Sequence, residues 1–281
     1  MFSTRILLNI GLAIILVTLI FIAVISNREN TSVSEFTPLQ YSDINSIEIK
    51  HNKTLIKLNK TDQRWRITTP LEITADKFRV DAIISLLTLD SESSYAINDT
   101  DLKKYSLSPA KASLRLNQQE FLFGTTSSVN NKRYVLTQNK LFLIDDTIYP
   151  LITAGYKNIM HRRLLDSQSN ITDIKSKDFH VYKNTSWKTD KQTISADALK
   201  KFVDNWKFIQ AYTVNSAIVP YAGNPVYITT TDNKVIEFII NKNEFSTSII
   251  NPTLGLSYQF DLPAFDSLTQ LNYYVTNEEN N

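Results

Sequence analysis

The first regularity along the chain is a run of twenty residues without a charge, Ile6 to Ile25, reading ILLNIGLAIILVTLIFIAVI. At about 1.5 Å per helical residue such a run spans about 30 Å, the thickness of a bilayer's hydrocarbon core. The pattern predicts a cytoplasmic stub at 1–5, a single transmembrane helix at 6–26 and a polar tether at 27–42. A cleaved signal peptide has a shorter apolar stretch, roughly 7–15 residues, closing on small residues. Here the run ends Ala23-Val24-Ile25-Ser26, so retention as an anchor is expected. Arg5 and Arg28 offset each other across the span, and the free amino group tips the N-terminus inward. The expected location is a bacterial inner membrane, with the C-terminal domain periplasmic.

Beyond the tether the period changes to two. Ile44, Ile47 and Ile49 have polar neighbours, His51-Asn52-Lys53 offers a turn, and Leu55 to Leu58 and then Arg64 to Thr68 complete a three-stranded meander around Trp65 and Ile67. After Pro70 the period becomes helical. Val80, Ile83, Ile84 and Leu87 form one apolar stripe, capped by Thr74 or Asp76, with Lys77, Arg79 and Asp81 on the wet side. A polar connector reaches Pro109. Strands are then expected at Ala112–Leu116, Glu120–Phe123, Arg133–Leu136 and Leu141–Ile144, and a helix from Asp146 to Met160, entered at Thr147 and interrupted near Pro150.

The second half repeats this order. Trp187 stands where Trp65 did, Ile194-Ser195-Ala196-Asp197 echoes Ile73-Thr74-Ala75-Asp76, and Leu199, Phe202, Val203 and Trp206 form a second stripe. Strands follow at Val226–Thr230 and Val235–Ile240, and Tyr258 to Asp261 ahead of Pro263 resembles Leu143 to Asp146 ahead of Pro150. The expected fold is α+β: two similar repeats of antiparallel sheet plus covering helix, at 43–165 and 166–275, with a polar tail at 276–281. The tetrapeptides match 121 residues apart and the stripes 119, a slip that one insertion or deletion would produce.

Composition narrows the chemistry. Thirty basic residues against 28 acidic give +2, interspersed, so no field favours nucleic acid. Cysteine is absent, which removes disulfides, thiolate ligands and a thiol nucleophile. The five glycines lie too far apart to form a phosphate-cradling loop. His51, His161 and His180 lack metal-ligand spacing, so neither metal nor cofactor is expected. Asp145-Asp146 and Asp99 with Asp101 are the paired carboxylates, and carboxylates ahead of a helix serve its dipole. No G-x-S-x-G or S-x-x-K motif occurs. The densest basic cluster, His161-Arg162-Arg163, falls at the hinge between repeats, and Arg162 and Arg163 are the candidate partner contacts, because a guanidinium presents a planar fork of donors.

The stretches Arg64-Trp65-Arg66-Ile67 to Pro70, Ala75-Asp76, Lys104 to Pro109, Phe123-Gly124, Arg133-Tyr134-Val135 and Arg162-Arg163-Leu164-Leu165 resemble an uncharacterised family, domain of unknown function 4340. Where that family usually has Tyr-Gly-Leu, this chain has Tyr105-Ser106-Leu107. The resemblance implies one N-terminal span and an extracytoplasmic domain, and carries over no catalytic residue. Some relatives accompany ABC-type transport systems. The leading expectation is therefore a non-enzymatic, membrane-anchored interaction or scaffold protein of the cell envelope, with an envelope or membrane protein as partner. An accessory subunit of an ABC-type transporter and an envelope hydrolase using Asp145 and Asp146 are the alternatives.

Overall fold

The computed structural model describes residues 13–19, 36–89, 91, 94–96, 101–190, 193–244 and 246–276. The predicted stub, both ends of the predicted span, most of the tether, Asp99 and all of the tail but its first residue lie outside them. Within the span, residues 13–19 are helical, and Thr18 turns its hydroxyl back to the Ile14 carbonyl at 2.8 Å. Among the described residues no helix is long and apolar enough to cross a membrane.

The rest is α+β. In the first half, β1 (Ser46–His51), β2 (Thr54–Thr61), β3 (Arg64–Thr69) and β4 (Ile73–Thr74) precede helix α1 (Lys77–Ile84). Then come β5 (Ser94–Ala96), β6 (Ala112–Leu116), β7 (Gln119–Thr126), β8 (Arg133–Thr137), β9 (Lys140–Ile144) and α2 (Ile148–Thr153). The second half runs β10 (Ile171–Ser176), β11 (His180–Lys183), β12 (Trp187–Thr189), α3 (Ala196–Phe208), β13 (Thr213–Ser216), β14 (Asn224–Thr230), β15 (Val235–Lys242), β16 (Thr247–Asn251), β17 (Leu256–Phe260), α4 (Leu262–Thr269) and α5 (Tyr273–Thr276).

The two sheets follow one path. The first is ordered β4-β3-β2-β1-β6-β7-β8-β9-β5 and the second β12-β11-β10-β14-β15-β16-β17-β13. In each, three strands meander to one edge, a helix follows, the next strand lies at the opposite edge, and four strands return from the centre to meet it. Among the described residues β4 has no counterpart in the second sheet. Alternation makes the strands: β6 and β8 bury every second residue, and β1 buries Ile47 and Ile49.

The helices show why the echoes disagreed by two residues. Asp76 caps α1, accepting from the amides of Phe78 and Arg79, whereas Ser195 caps α3, accepting from Ala198. These caps stand 119 residues apart, the offset of the stripes. The tetrapeptides at 121 are not structural equivalents, because Ile73–Thr74 forms the extra strand β4. The first stripe also changes at its end: Leu86, not Leu87, is buried, because the four residues Ser85–Thr88 tighten into a 3-10 helix, with about three residues per turn. Pro150 does not interrupt α2, since it occupies the first turn, where no donor is needed. Of the tryptophans, Trp65 and Trp206 are buried and Trp187 is half-exposed. A continuous apolar core joins both halves, with Phe179 against Phe202 and Trp206 against Phe238.

Two family-like stretches meet in the first sheet. The Thr125 amide donates to the Tyr105 carbonyl at 2.8 Å, and a Cβ at Gly124 would lie 2.2 Å from that same oxygen. Ser106 holds φ at +56°, so the chain keeps the left-handed turn that glycine favours and bears the steric cost of a side chain there, about 1–2 kcal/mol. Gly124→Ala is expected to destabilise the chain by about 3 kcal/mol, toward the upper end of overpacking effects. Ser106→Gly is expected to stabilise it by up to about 1 kcal/mol, since glycine's extra unfolded-state entropy offsets part of the relieved strain. Urea unfolding midpoints of the two variants against the parent measure both effects.

Candidate functional site

The halves are joined by an extended segment, Ile159 to Arg163, hydrogen-bonded on both sides. Toward the first sheet, Asp76 donates to the Ile159 carbonyl at 2.7 Å, His161 donates to the Thr74 carbonyl at 3.1 Å, and Ala75 bridges Met160. Toward the second, Ala211 donates to the Arg162 carbonyl at 2.9 Å and Arg163 bridges Gln210, just ahead of β13. This linker fills the seam between the β4 edge of one sheet and the β13 edge of the other. Leu164 and Leu165 then bury themselves in the core.

In an extended segment successive side chains point to opposite faces. Met160 and Arg162 accordingly line one cleft, and His161 and Arg163 line cavities on the other side. The basic tripeptide that looks like one cluster in sequence is thus divided. The Arg162 guanidinium donates to the Tyr212 carbonyl. That of Arg163 has no ion-pair or hydrogen-bond partner among the described residues.

The Arg162 face is the larger opening, about 510 Å³, bounded by residues 212–215 of the β13 edge, the start of α1 and the loop 154–158. Arg79 and Lys157 share it, Lys157 donating to Ser216 Oγ at 2.6 Å. The one carboxylate on this wall is Asp76, occupied by the α1 amides at 2.9 and 3.3 Å. Tyr212, Ile218 and Val219 leave large apolar surfaces exposed around the ends of β13.

On the opposite face Asp166 gathers the charges. Its carboxylate accepts from Thr74 Oγ1 at 2.9 Å and the Gln168 amide at 3.1 Å, with Arg64 and Arg66 each at 3.7 Å. Burial pushes its pKa upward, but the Gln168 and Thr74 hydrogen bonds and the charges of His161 and Arg64 outweigh this and hold it below the usual carboxylate value. Burial depresses His161, more than Asp166 raises it, and Arg163 pushes the same way as burial. His161 Nδ1 accepts from the Arg163 amide, which places the neutral ring's proton on Nε2.

The other candidate residues lie elsewhere. Asp146 is clasped by Arg133 through Nε at 2.6 Å and Nη2 at 2.7 Å, while Asp145 lies 3.6 Å from Lys132. Arg133 is buried, also donates to the Gly124 carbonyl and lies 3.5 Å over the Tyr149 ring. This is a structural latch around a desolvated guanidinium. His51 bonds at a turn to the Lys111 carbonyl. His180 does have acidic partners, Asp173 at 2.8 Å and Asp190 at 3.1 Å, brought together by the β10–β11–β12 meander. Among the described residues no group of three acidic or histidine side chains is arranged to hold a metal. Burial works against the charged form of His180, but the hydrogen bonds to Asp190 and Asp173 prevail and raise its pKa.

The two histidines therefore give stability opposite slopes. For His161 the unfolded chain takes up the proton first, so stability is full above pH 6.5, the ordinary value, and falls as pH drops below it. For His180 the folded chain holds the proton longer, so its contribution is full below pH 6.5 and is lost as pH rises through the folded value. His161→Asn should flatten the acid side of a stability profile and His180→Asn the neutral-to-alkaline side. Urea unfolding at half-unit pH steps separates them.

The model of a family described as a domain of unknown function, DUF4340, matches residues 65–220, more than half of the 281-residue chain. The matched stretch runs from β3 through the linker and past β13, and so contains both sides of the seam. No curated protein and no solved structure matches the chain. With its strands, turn and seam residues falling inside the matched region, the chain belongs to the DUF4340 family.

Proposed function

We propose that this chain is a non-enzymatic interaction or scaffold protein of the bacterial cell envelope, anchored in the inner membrane by its N-terminal helix with its two-sheet body in the periplasm. The observation that carries the reading is the seam cleft: a strand edge unpaired among the described residues, the exposed ring of Tyr212 and three cations share one opening. Strand edges with adjacent pockets are a recurrent means of holding partner polypeptides. Arg162 serves this site by shaping the rim through Tyr212, and Arg163 faces the other side of the seam, where its guanidinium, without a partner among the described residues, is offered to a second contact.

The anchor is supported by the uncharged run from Ile6 to Ile25 and by the helix within it. Ile14, Ile15, Leu16, Val17 and Leu19 are each 58–65% exposed, all around one helix. Side chains of this kind fully exposed to water forgo roughly 1.5–3 kcal/mol each relative to burial, so lipid is the solvent they suit. The hydroxyl of Thr18 is satisfied within the helix, which lowers its cost in hydrocarbon.

Fractionation of cells followed by alkaline carbonate washing is expected to leave the full-length chain in the membrane pellet, with its body digested by protease added outside the spheroplast. In-cell cross-linking through position 212, read by mass spectrometry, is expected to trap a discrete envelope or membrane protein. Recovery of a shortened chain in the wash, or an absence of cross-linked species at full expression, overturns the reading.

A further inference from the structure

We propose that the open edge of β13 takes up an acidic, extended polypeptide segment as an added strand, its carboxylates meeting Arg79, Lys157 and Arg162; this deepens the interaction reading above and rests on it.

The edge itself comes first. Among the described residues β13 pairs only with β17, in a register that sets Thr213 opposite Gln259 and Ser216 opposite Leu256. The Ala217 amide donates to the Gly255 carbonyl, one step further along the same register. Antiparallel ladders alternate, so residues 213, 215 and 217 turn their amide groups toward β17 and residues 214 and 216 turn theirs away. Residues 212–215 border the cleft directly. The edge is also competent for pairing, because immediately upstream the linker already lies against it through Ala211 and Gln210. The Tyr212 amide donates to the Gln259 carbonyl and its own carbonyl is taken by Arg162, so a guest strand would continue that line along residues 213–216, about 13 Å at 3.3 Å per residue.

Charge then selects the guest. Arg79, Lys157 and Arg162 border the cleft without a carboxylate among the described residues to neutralise them, since Asp76 is committed to the α1 amides. Lys157 and Arg162 bond only to neutral oxygens, of Ser216 and Tyr212, and Arg79 is exposed. A basic segment would add like charge to three cations, and a neutral one would leave them uncompensated. Tyr212 ahead of β13, and Ile218 and Val219 beyond its other end, offer exposed apolar surface at the two ends of the edge, so the segment expected is one of acidic residues interleaved with apolar ones.

The test uses the full chain in mild detergent and fluorescein-labelled nine-residue probes in which Val alternates with Glu, Gln or Lys. The Glu probe is expected to bind, the Gln probe at least tenfold more weakly and the Lys probe not at all. Arg79→Glu, at an exposed site, is expected to weaken the Glu probe at least tenfold. Ser216→Pro, which removes an outward amide, is expected to abolish binding with circular dichroism unchanged. Equal binding of Glu and Gln probes, no binding of any probe, or indifference to both substitutions overturns the proposal. Cross-linking through position 212 in cells separates the levels: a trapped partner with no probe binding sinks strand addition and leaves the interaction reading standing, whereas probe binding with nothing trapped sinks that reading.

Discussion

Five residues of backbone hold this molecule together in a way that no side chain does. From Ile159 to Arg163 the linker satisfies amides and carbonyls of both β4 and the approach to β13, and in doing so turns two separate sheets into neighbours. A buried backbone group without a partner costs about as much as a lost hydrogen bond, so two facing sheet edges need something between them. The linker supplies it, and everything placed at the seam inherits its geometry: Arg162 on one face, His161 and Arg163 on the other, Asp166 where the segment leaves. The short strand β4 extends the first sheet far enough to be reached.

Much of this architecture was legible wherever one face of a strand meets the core and the other meets water. β1, β3, β6 and β8 alternate and could be read, as could both helix stripes. β13 could not, because Val214 is its only apolar residue, and β16 could not, because Ser248, Ile249, Ile250 and Asn251 are all buried and no alternation survives. The duplication was visible as an order of elements. Of its two offsets, 121 between the tetrapeptides and 119 between the stripes, the helix caps follow the second.

The site was less legible than the fold. His161-Arg162-Arg163 stood out as a basic cluster, but whether neighbours act together depends on backbone conformation, and an extended backbone separates them. Arg79 gave no signal beyond lying on the wet side of α1, and its place in the cleft depends on a linker 80 residues away. His180 was read as lacking a partner at metal-ligand spacing, and its contacts with Asp173 and Asp190 depend on a three-stranded meander that spacing alone does not show. Conversely, Asp145-Asp146 suggested chemistry by adjacency alone, and the structure divides the two between Arg133 and Lys132. At Ser106 a residue with a side chain holds the left-handed backbone that glycine takes most easily.

The far ends of the two sheets tell a complementary story. There the outermost strands, β5 and β12, are only three residues long. A rim so brief offers too few amides to template a second copy, which guards a two-sheet body against runaway polymerisation. Brevity at the periphery thus leaves the seam as the place where recruitment of another strand is rewarded.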